Sequence, residues 1–156
     1  MGITVKGTEE LKILLEQAGA TAARGVIEQM RKEARSIRDL ARQMAPSDYG
    51  NLEAAITVKD EGGGRGTGGR FLRKSIAVMI KMDMPVPERP GKVVGDYAWT
   101  MHEHLTPYGP YQLGEKSIDK QAGQQVMVGG KFLERAADQV SKDMIARMCN
   151  VLRTYI

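Results

Sequence analysis

Two histidines separated by one residue are the clearest candidates for chemistry in this sequence. They are His102 and His104, with Glu103 between them. Residues two apart on a strand point to the same face, so both imidazoles could face one metal ion. The sequence has no other histidine, and its single cysteine, Cys149, lies far along the chain. A metal site would have to recruit carboxylates such as Glu103 or Asp96, so we predict a local hydrogen-bonded pair and no metal ligand here.

The usual signatures of catalysis are absent from the sequence. The histidine pair lacks the H-E-x-x-H spacing of metalloproteases, and no serine lies in a G-x-S-x-G setting. Cys149 lies on an apolar helical pattern, where burial disfavours the reactive thiolate. We therefore predict a protein that is not an enzyme and that has no catalytic residue.

A glycine-rich segment at 61–70 matches a cofactor motif in form only. Gly64, Gly66 and Gly69 satisfy G-x-G-x-x-G. In a dinucleotide-binding fold this motif opens a helix, whereas here the following residues 76–82 alternate as a strand. No Gly-Lys-Ser/Thr follows either, which excludes a P-loop. We predict a mobile hairpin loop without a cofactor, whose Arg65 and Arg70 are available to a partner.

A row of arginines borders the apolar seam of the longest predicted helix. The seam is formed by residues at alternating four- and three-residue steps: Ala23, Ile27, Met30, Ala34, Ile37, Ala41 and Met44. One position along, in the same phase, lie Arg24, Glu28, Arg31, Arg35, Arg38 and Arg42. We expect a solvated face in which Glu28, Glu33 and Asp39 form pairs worth about 0.3–0.5 kcal/mol each. An intersubunit ion-pair surface and a DNA-facing surface are the alternatives.

Proline and glycine residues divide the chain into elements. Pro46 ends the long helix and Gly50 permits a sharp reversal, while Gly19 weakens or bends the helix near its start. A short strand at 3–6 precedes the first helix, for which Thr8 is the expected N-cap.

The remaining elements follow from periodicity. Strands are predicted at 54–59, 76–82 and 92–101, the last with Val94 and Trp99 in the core, and a short edge strand at 126–128. The connection 104–128 has no clear period, which is typical of a functional or partner-ordered loop. A second amphipathic helix covers 132–155.

Composition favours one α+β domain over residues 1–156. The order of elements predicts a small, mostly antiparallel β-sheet packed against a long N-terminal helix and a C-terminal helix, with long loops. Ten methionines against two phenylalanines indicate an adaptable aliphatic and thioether core. No membrane span or signal pattern is present, and one cysteine suits a reducing cytoplasm. A net charge of +4 favours anionic partners such as nucleic acid or acidic protein surfaces.

Five short stretches of the chain form an ordered series. They are the opening Ile3 to Leu11, the helix end Ala41 to Pro46, Gly50 to Leu52, Asp96 to Ala98 leading into Met101 to Glu103, and Gly130 to Ala136. In this order and spacing they resemble a family of tailed-bacteriophage neck proteins, whose members are described as tail-completion, head–tail connector, minor tail or minor capsid proteins. The glycine-rich insertion at 61–70 and the long 104–128 connection depart from the family pattern.

The resemblance implies a structural virion protein at the junction of head and tail. It implies a homo-oligomeric ring, sixfold or twelvefold, between head-side connector or portal proteins and tail-side tube or terminator proteins. Assembly would take place in the host cytoplasm, and contact with channel DNA would be non-specific. The resemblance gives the following residues structural roles: Pro46, Gly50, Leu52, Tyr97, His102, Glu103, Lys131, Phe132 and Leu133. A small basic nucleic-acid-binding domain and a minor capsid protein are the alternatives.

Overall fold

The computed structural model describes residues 8–47, 49–62 and 74–156. The elements are α1 (Thr8–Met44), α2 (Asn51–Ala55), β1 (Ile56–Gly62), β2 (Lys74–Ile80), α3 (Gly95–Glu103), α4 (Glu115–Ala122), α5 (Phe132–Ser141) and α6 (Met144–Arg153). The predicted α+β class is confirmed. The strand predicted at 3–6 and most of the glycine-rich segment, including Arg65 and Arg70, lie outside the described residues.

An antiparallel hairpin forms the sheet in the described part of the chain. Its register pairs Ile56 with Ile80 at one end and Gly62 with Lys74 at the other. The alternating pattern predicted a strand at 76–82, two residues further along the chain than β2 at Lys74–Ile80, and the connection at 63–73 joins two paired strand ends. Both strands contact α1, which covers one face of the pair.

The long helix α1 bends and ends where glycine and proline were expected to act. Gly19 has non-helical dihedral angles, with φ at 75°. The helix ends at Met44, two residues before the buried Pro46. The seam prediction is right from Ala34 onwards, but it is one residue out of phase near the start. There Ala22 and Val26 are the buried residues, in place of Ala23 and Ile27, because the helix faces α6 in that region.

The strand predicted at 54–59 begins two residues later, and a single helical turn precedes it. Gly50 has φ at 81° and begins α2, which places Leu52 and Ala55 in the core. The segment 54–59, predicted as one strand, is thus divided between the end of α2 and the start of β1. Short apolar runs do not distinguish helix from strand by period alone.

The strand predicted at 92–101 is wrong, since residues Gly95–Glu103 form the helix α3. The buried residues Val94, Ala98, His102 and Leu105 follow the four- and three-residue steps of a helix. The Asp96 carboxylate also accepts a hydrogen bond from the Val93 amide at 3.1 Å, which stabilises the helix start. Val94 lies in the core as predicted, whereas Trp99 is 61% exposed.

Two further corrections concern the second half of the chain. The 104–128 connection contains a helix, α4. Its buried contacts come from polar side chains, so its sequence shows no helical period of apolar residues. The edge strand predicted at 126–128 is absent, since these residues lie in an irregular segment. The helix predicted at 132–155 is present as α5 and α6, interrupted at Lys142 and Asp143.

The core is built largely from alanine with one large aromatic side chain at its centre. Phe132 is the largest fully buried side chain, and it lies among residues of α1, α2, β1 and α3. Small side chains on α1 and directly after it allow the other elements to approach closely: Ala34, Ala41 and Ala45 are each at most 5% exposed. Several of the methionines surround this core and are only partly buried. None of the described helices is long and apolar enough to cross a bilayer.

Candidate functional site

The end of α3 and the start of α5 are joined by an ion pair and a backbone hydrogen bond. The Lys131 ammonium group pairs with the Glu103 carboxylate, and the Lys131 amide donates to the His102 carbonyl at 2.6 Å. Nδ1 of His102 lies 2.9 Å from Oε1 of Glu103. We call these residues, with Phe132, the α3–α5 junction. It brings together His102, Glu103, Lys131 and Phe132, which sequence reasoning had selected from two distant stretches.

Two glycines allow the chain to pass closely at this junction. A Cβ atom on Gly130 would lie 2.6 Å from the Leu105 carbonyl oxygen, and one on Gly129 would lie 2.4 Å from the Thr106 carbonyl oxygen. Both distances are too short for any side chain. Lys131 itself has φ at 55°, in the left-handed region. The junction therefore depends on the glycine pair as well as on charge.

The histidine of the junction packs in the core. His102 is 8% exposed, and its ring meets that of Phe132 edge-on, with centroids 4.8 Å apart. Its Nε2 atom is buried and has no hydrogen-bond partner among the described residues. An imidazole with Nδ1 beside a carboxylate carries its proton there, which leaves Nε2 as an acceptor.

Ion pairing at the junction shifts the pKa of both charged partners. The hydrogen bond from Lys131, and then that from His102, lower the pKa of the Glu103 carboxyl below its usual value. The Glu103 carboxylate in turn raises the pKa of the Lys131 ammonium group. Both groups are thus held in their charged forms across the neutral pH range, which suits a structural ion pair better than proton transfer.

The two histidines of the sequence motif do not face a common site. His104 is exposed beyond the end of α3, with its ring edge-on to Tyr111 at 6.5 Å. The expected common face required a strand, and α3 is a helix. Within the described ranges, no group of three histidine, cysteine or acidic residues could hold a metal ion. Cys149 is buried in α6 with its thiol free, as its apolar surroundings predicted.

The arginine row divides into paired and exposed members. Arg31 pairs with Asp60 of β1 at 2.8 Å, and Arg38 pairs with Asp39 at 2.8 Å. Arg42 donates two hydrogen bonds to the Ile56 carbonyl, from Nε at 3.1 Å and Nη2 at 2.7 Å. Arg31 and Arg42 thus connect α1 to β1, whereas Arg38 pairs within α1. Arg24 and Arg35 are exposed and form no ion pair with another described residue.

The other residues to which the resemblance gives structural roles lie around the same core. Pro46 and Leu52 are buried at the corner after α1, and Gly50 occupies the left-handed turn between them. Tyr97 and Leu133 are partly buried and pack against the core from α3 and α5. The structure therefore assigns all of these residues to packing and turns.

Two long-range contacts of charged side chains were missed by sequence reasoning. The Glu33 side chain is 6% exposed and accepts hydrogen bonds at 2.7 Å from Nε and Nη2 of Arg147, on α6. This pairing, with a hydrogen bond from Gln29, lowers the pKa of the Glu33 carboxyl. The Lys120 ammonium group of α4 donates hydrogen bonds of 2.7 Å to the Arg42 and Ala45 carbonyl oxygens. A cation is favourable at this position, because the C-terminus of α1 carries a partial negative charge. Sequence separations this large leave no local signal.

An apolar groove of about 700 Å³ opens between α1, β2, α3, α5 and α6. Its apolar lining includes Met30, Ile37, Val78, Met82, Trp99 and Met144. Its polar lining consists of Glu33, His102, Glu103, Glu134 and Ser141. Trp99 and Met82 are 61% and 45% exposed at its edge. Thioether side chains make a surface that adapts to what it contacts, and tryptophan is enriched where proteins bind one another.

The geometry of these residues describes a packing unit at the α3–α5 junction and an apolar groove beside it. Compared with models of known protein families, with curated proteins and with solved structures, the chain gives no match.

Proposed function

We propose that this chain is a non-enzymatic structural protein of a tailed-phage virion, and that it forms a ring at the neck between head and tail. The observation that carries the proposal is the α3–α5 junction. Two of the stretches that resemble the neck family, 96–103 and 130–136, meet there through the Glu103–Lys131 ion pair and the His102–Phe132 contact. Residues to which the resemblance gives structural roles thus contact one another in one packing unit, which supports the proposal.

The apolar groove supports an assembling protein. An exposed tryptophan beside a large apolar groove is unfavourable in water and favours burial against another protein. The proposed partners are further copies of this chain, head-side connector or portal proteins, and tail-side tube or terminator proteins. The ring is sixfold or twelvefold in this proposal, and the site of function is the virion neck. A minor capsid role shares the same sequence pattern and is the nearest alternative.

A nucleic-acid-binding domain is the second candidate, supported by the exposed Arg24 and Arg35 on α1. Only these two arginines of the row form neither an ion pair nor a side-chain hydrogen bond with another described residue, and non-specific DNA binding generally needs several phosphate contacts. Within the neck proposal, the same arginines provide weak, salt-sensitive contact with DNA in the channel.

Electron microscopy of negatively stained mixtures tests the proposal. The purified chain is incubated alone, with a candidate portal or connector, and with a candidate tail-tube protein. Rings with a central opening, alone or with a partner, are expected. Particles of monomer size in every mixture would contradict the neck function, and binding of these monomers to duplex DNA would favour the nucleic-acid alternative.

A further inference from the structure

The apolar groove runs along the edge of β2 that faces away from β1. Ile76, Ala77 and Val78 all line it. Successive side chains of a strand point to opposite faces, so a cavity under one face would be lined by alternate residues only. Three consecutive lining residues therefore indicate that the groove follows the edge of the strand. No residue of β1 belongs to the described lining, so this is the edge opposite the hairpin pairing.

This edge of β2 has no paired strand in the described part of the chain. The sheet there has two strands, and no backbone hydrogen bond joins residues 75–80 to a described element other than β1. In an antiparallel pair, every second residue directs its N–H and C=O groups away from the partner strand. These groups form a row with which a further extended chain can pair, as in peptide recognition by strand addition.

The groove also contains buried side-chain acceptors that lack partners. The His102 Nε2 atom and the Glu134 Oε1 atom are buried without a hydrogen bond to any described residue, and both side chains line the groove. His102 as a whole is 8% exposed. With its proton on Nδ1, beside Glu103, its Nε2 atom is an acceptor, as is the carboxylate oxygen. An unpaired buried acceptor is costly, so these two atoms favour an occupant that brings N–H donors.

The charges around the groove favour a cationic donor. The described lining contains three carboxylates, those of Glu33, Glu103 and Glu134, and no lysine or arginine. Arg147 pairs with Glu33. Lys131 is shared between the other two carboxylates, and its distance of 3.6 Å from Glu134 is too long for a hydrogen bond. Three carboxylates with two cations leave one negative charge, which a guanidinium or ammonium group would neutralise.

We propose that the groove binds an extended segment of a partner protein, which adds a strand to β2 and carries an arginine or lysine side chain among apolar ones. The backbone of the segment pairs with the free edge of β2. Its apolar side chains contact Trp99 and the methionines of the groove, and its basic side chain donates to Glu134 and His102. This site goes beyond the ring proposed above and does not depend on it.

Selection from a peptide library tests the chemistry of the occupant. Random peptides of seven residues, the length of β2, are selected by mRNA display on the full chain. Enriched peptides should have apolar residues at alternate positions and an arginine or lysine. Each synthesised peptide should shift the emission of Trp99, the only tryptophan in the sequence, to the blue in a saturable way. No enrichment, enriched peptides without a basic residue, or an unchanged Trp99 emission would overturn the proposal.

Strand addition leaves a signature with a period of two residues in the bound peptide. Methylation of one peptide amide nitrogen at a time removes one N–H donor. Methylation of the amides that face β2 should weaken binding at least about tenfold, whereas methylation at the positions between them should have little effect. Equal effects at all positions would show that the peptide does not pair with the strand, and would overturn the proposal.

Glu134→Gln tests the contact with the basic side chain. The substitution removes the charge with little change of shape, and it should weaken binding of an arginine-containing peptide about tenfold. The same peptide with norleucine in place of arginine should bind wild type and variant equally. Asp138→Asn is the matched control, since Asp138 is exposed on the same helix outside the groove lining. Equal binding by all three proteins, or equal weakening by both substitutions, would contradict the proposed ion pair.

Amide hydrogen exchange of residues 75–80 distinguishes a partner segment from other occupants. In the protein alone, the outward-facing amides of β2 should exchange rapidly, and a selected peptide should slow them at least about tenfold. Protection in the protein alone that is independent of concentration would show that its own chain covers the edge. Protection that rises with concentration would show a second copy there. Either result would overturn the assignment of the groove to a partner segment.

Discussion

The Arg147 guanidinium group of α6 donates two hydrogen bonds of 2.7 Å to the buried Glu33 carboxylate of α1. The two residues are 114 positions apart in the sequence, and their contact joins α1, the first helix, to α6, the last. It lies beside the cluster of Ala22, Val26, Met148 and Leu152 that the same two helices bury. The pair therefore fixes the relative position of α1 and α6, which together line the groove.

Arg147→Ala should destabilise the protein by about 2 kcal/mol, because it leaves the Glu33 carboxylate buried without its cation. Part of the Arg147 side chain is exposed, which keeps the loss below that of a fully buried pair. The measurement is urea unfolding followed by circular dichroism. Arg24→Ala is the matched control and should change stability by less than about 0.5 kcal/mol. Equal effects of the two substitutions would contradict a structural role for the pair.

Stability should fall as the pH is lowered through the acid range. Hydrogen bonds from Arg147 and Gln29 lower the folded pKa of Glu33 below its usual value of 4.5. The contribution of the pair is therefore complete above that value and is lost as the pH falls through the lower folded pKa. Urea midpoints between pH 7 and pH 3 measure the effect. Glu33→Gln should flatten this dependence, and an unchanged pH profile in the variant would show that other groups cause it.

Gly130→Ala should disrupt the α3–α5 junction, because its Cβ would lie 2.6 Å from the Leu105 carbonyl oxygen. The expected loss is about 2 kcal/mol or more, since backbone must move. Gly123→Ala is the matched control. Its φ of −84° suits alanine and its nearest contact would be an ordinary 3.6 Å, so stability should be unchanged or higher by about 0.5 kcal/mol. Thermal unfolding distinguishes the two variants.

The Cys149 thiol should react with a thiol reagent only when the protein opens. It is 3% exposed on α6, so a reagent in solution cannot reach its sulfur atom while the protein is folded. The rate of modification by a chromogenic disulfide is the measurement. It should be slow in buffer and should rise through the urea unfolding transition. Rapid modification of the folded protein would contradict this buried position.

Sequence reasoning predicted the α+β class, the bend of α1 at Gly19, its end before Pro46 and the hairpin, because proline, glycine and alternation act locally. It failed at α3, where a strand was predicted over Lys92 to Met101 although the helical spacing of Val94, Ala98 and His102 was present. It selected His102, Glu103, Lys131 and Phe132 through resemblance, and the structure brings them together. It missed the Glu33–Arg147 pair and the groove, since contacts between distant elements leave no periodic signal.

The mass of the purified protein by light scattering across concentration, alone and with candidate head and tail partners, tests the proposed function most directly. A monomer has a mass of 17.2 kDa. We expect one discrete species at a fixed multiple of that mass, formed alone or on addition of a partner. A persistent monomer that ignores both partners, and that binds duplex DNA with an affinity falling steeply with salt, would contradict the account and make Arg24 and Arg35 the residues to substitute.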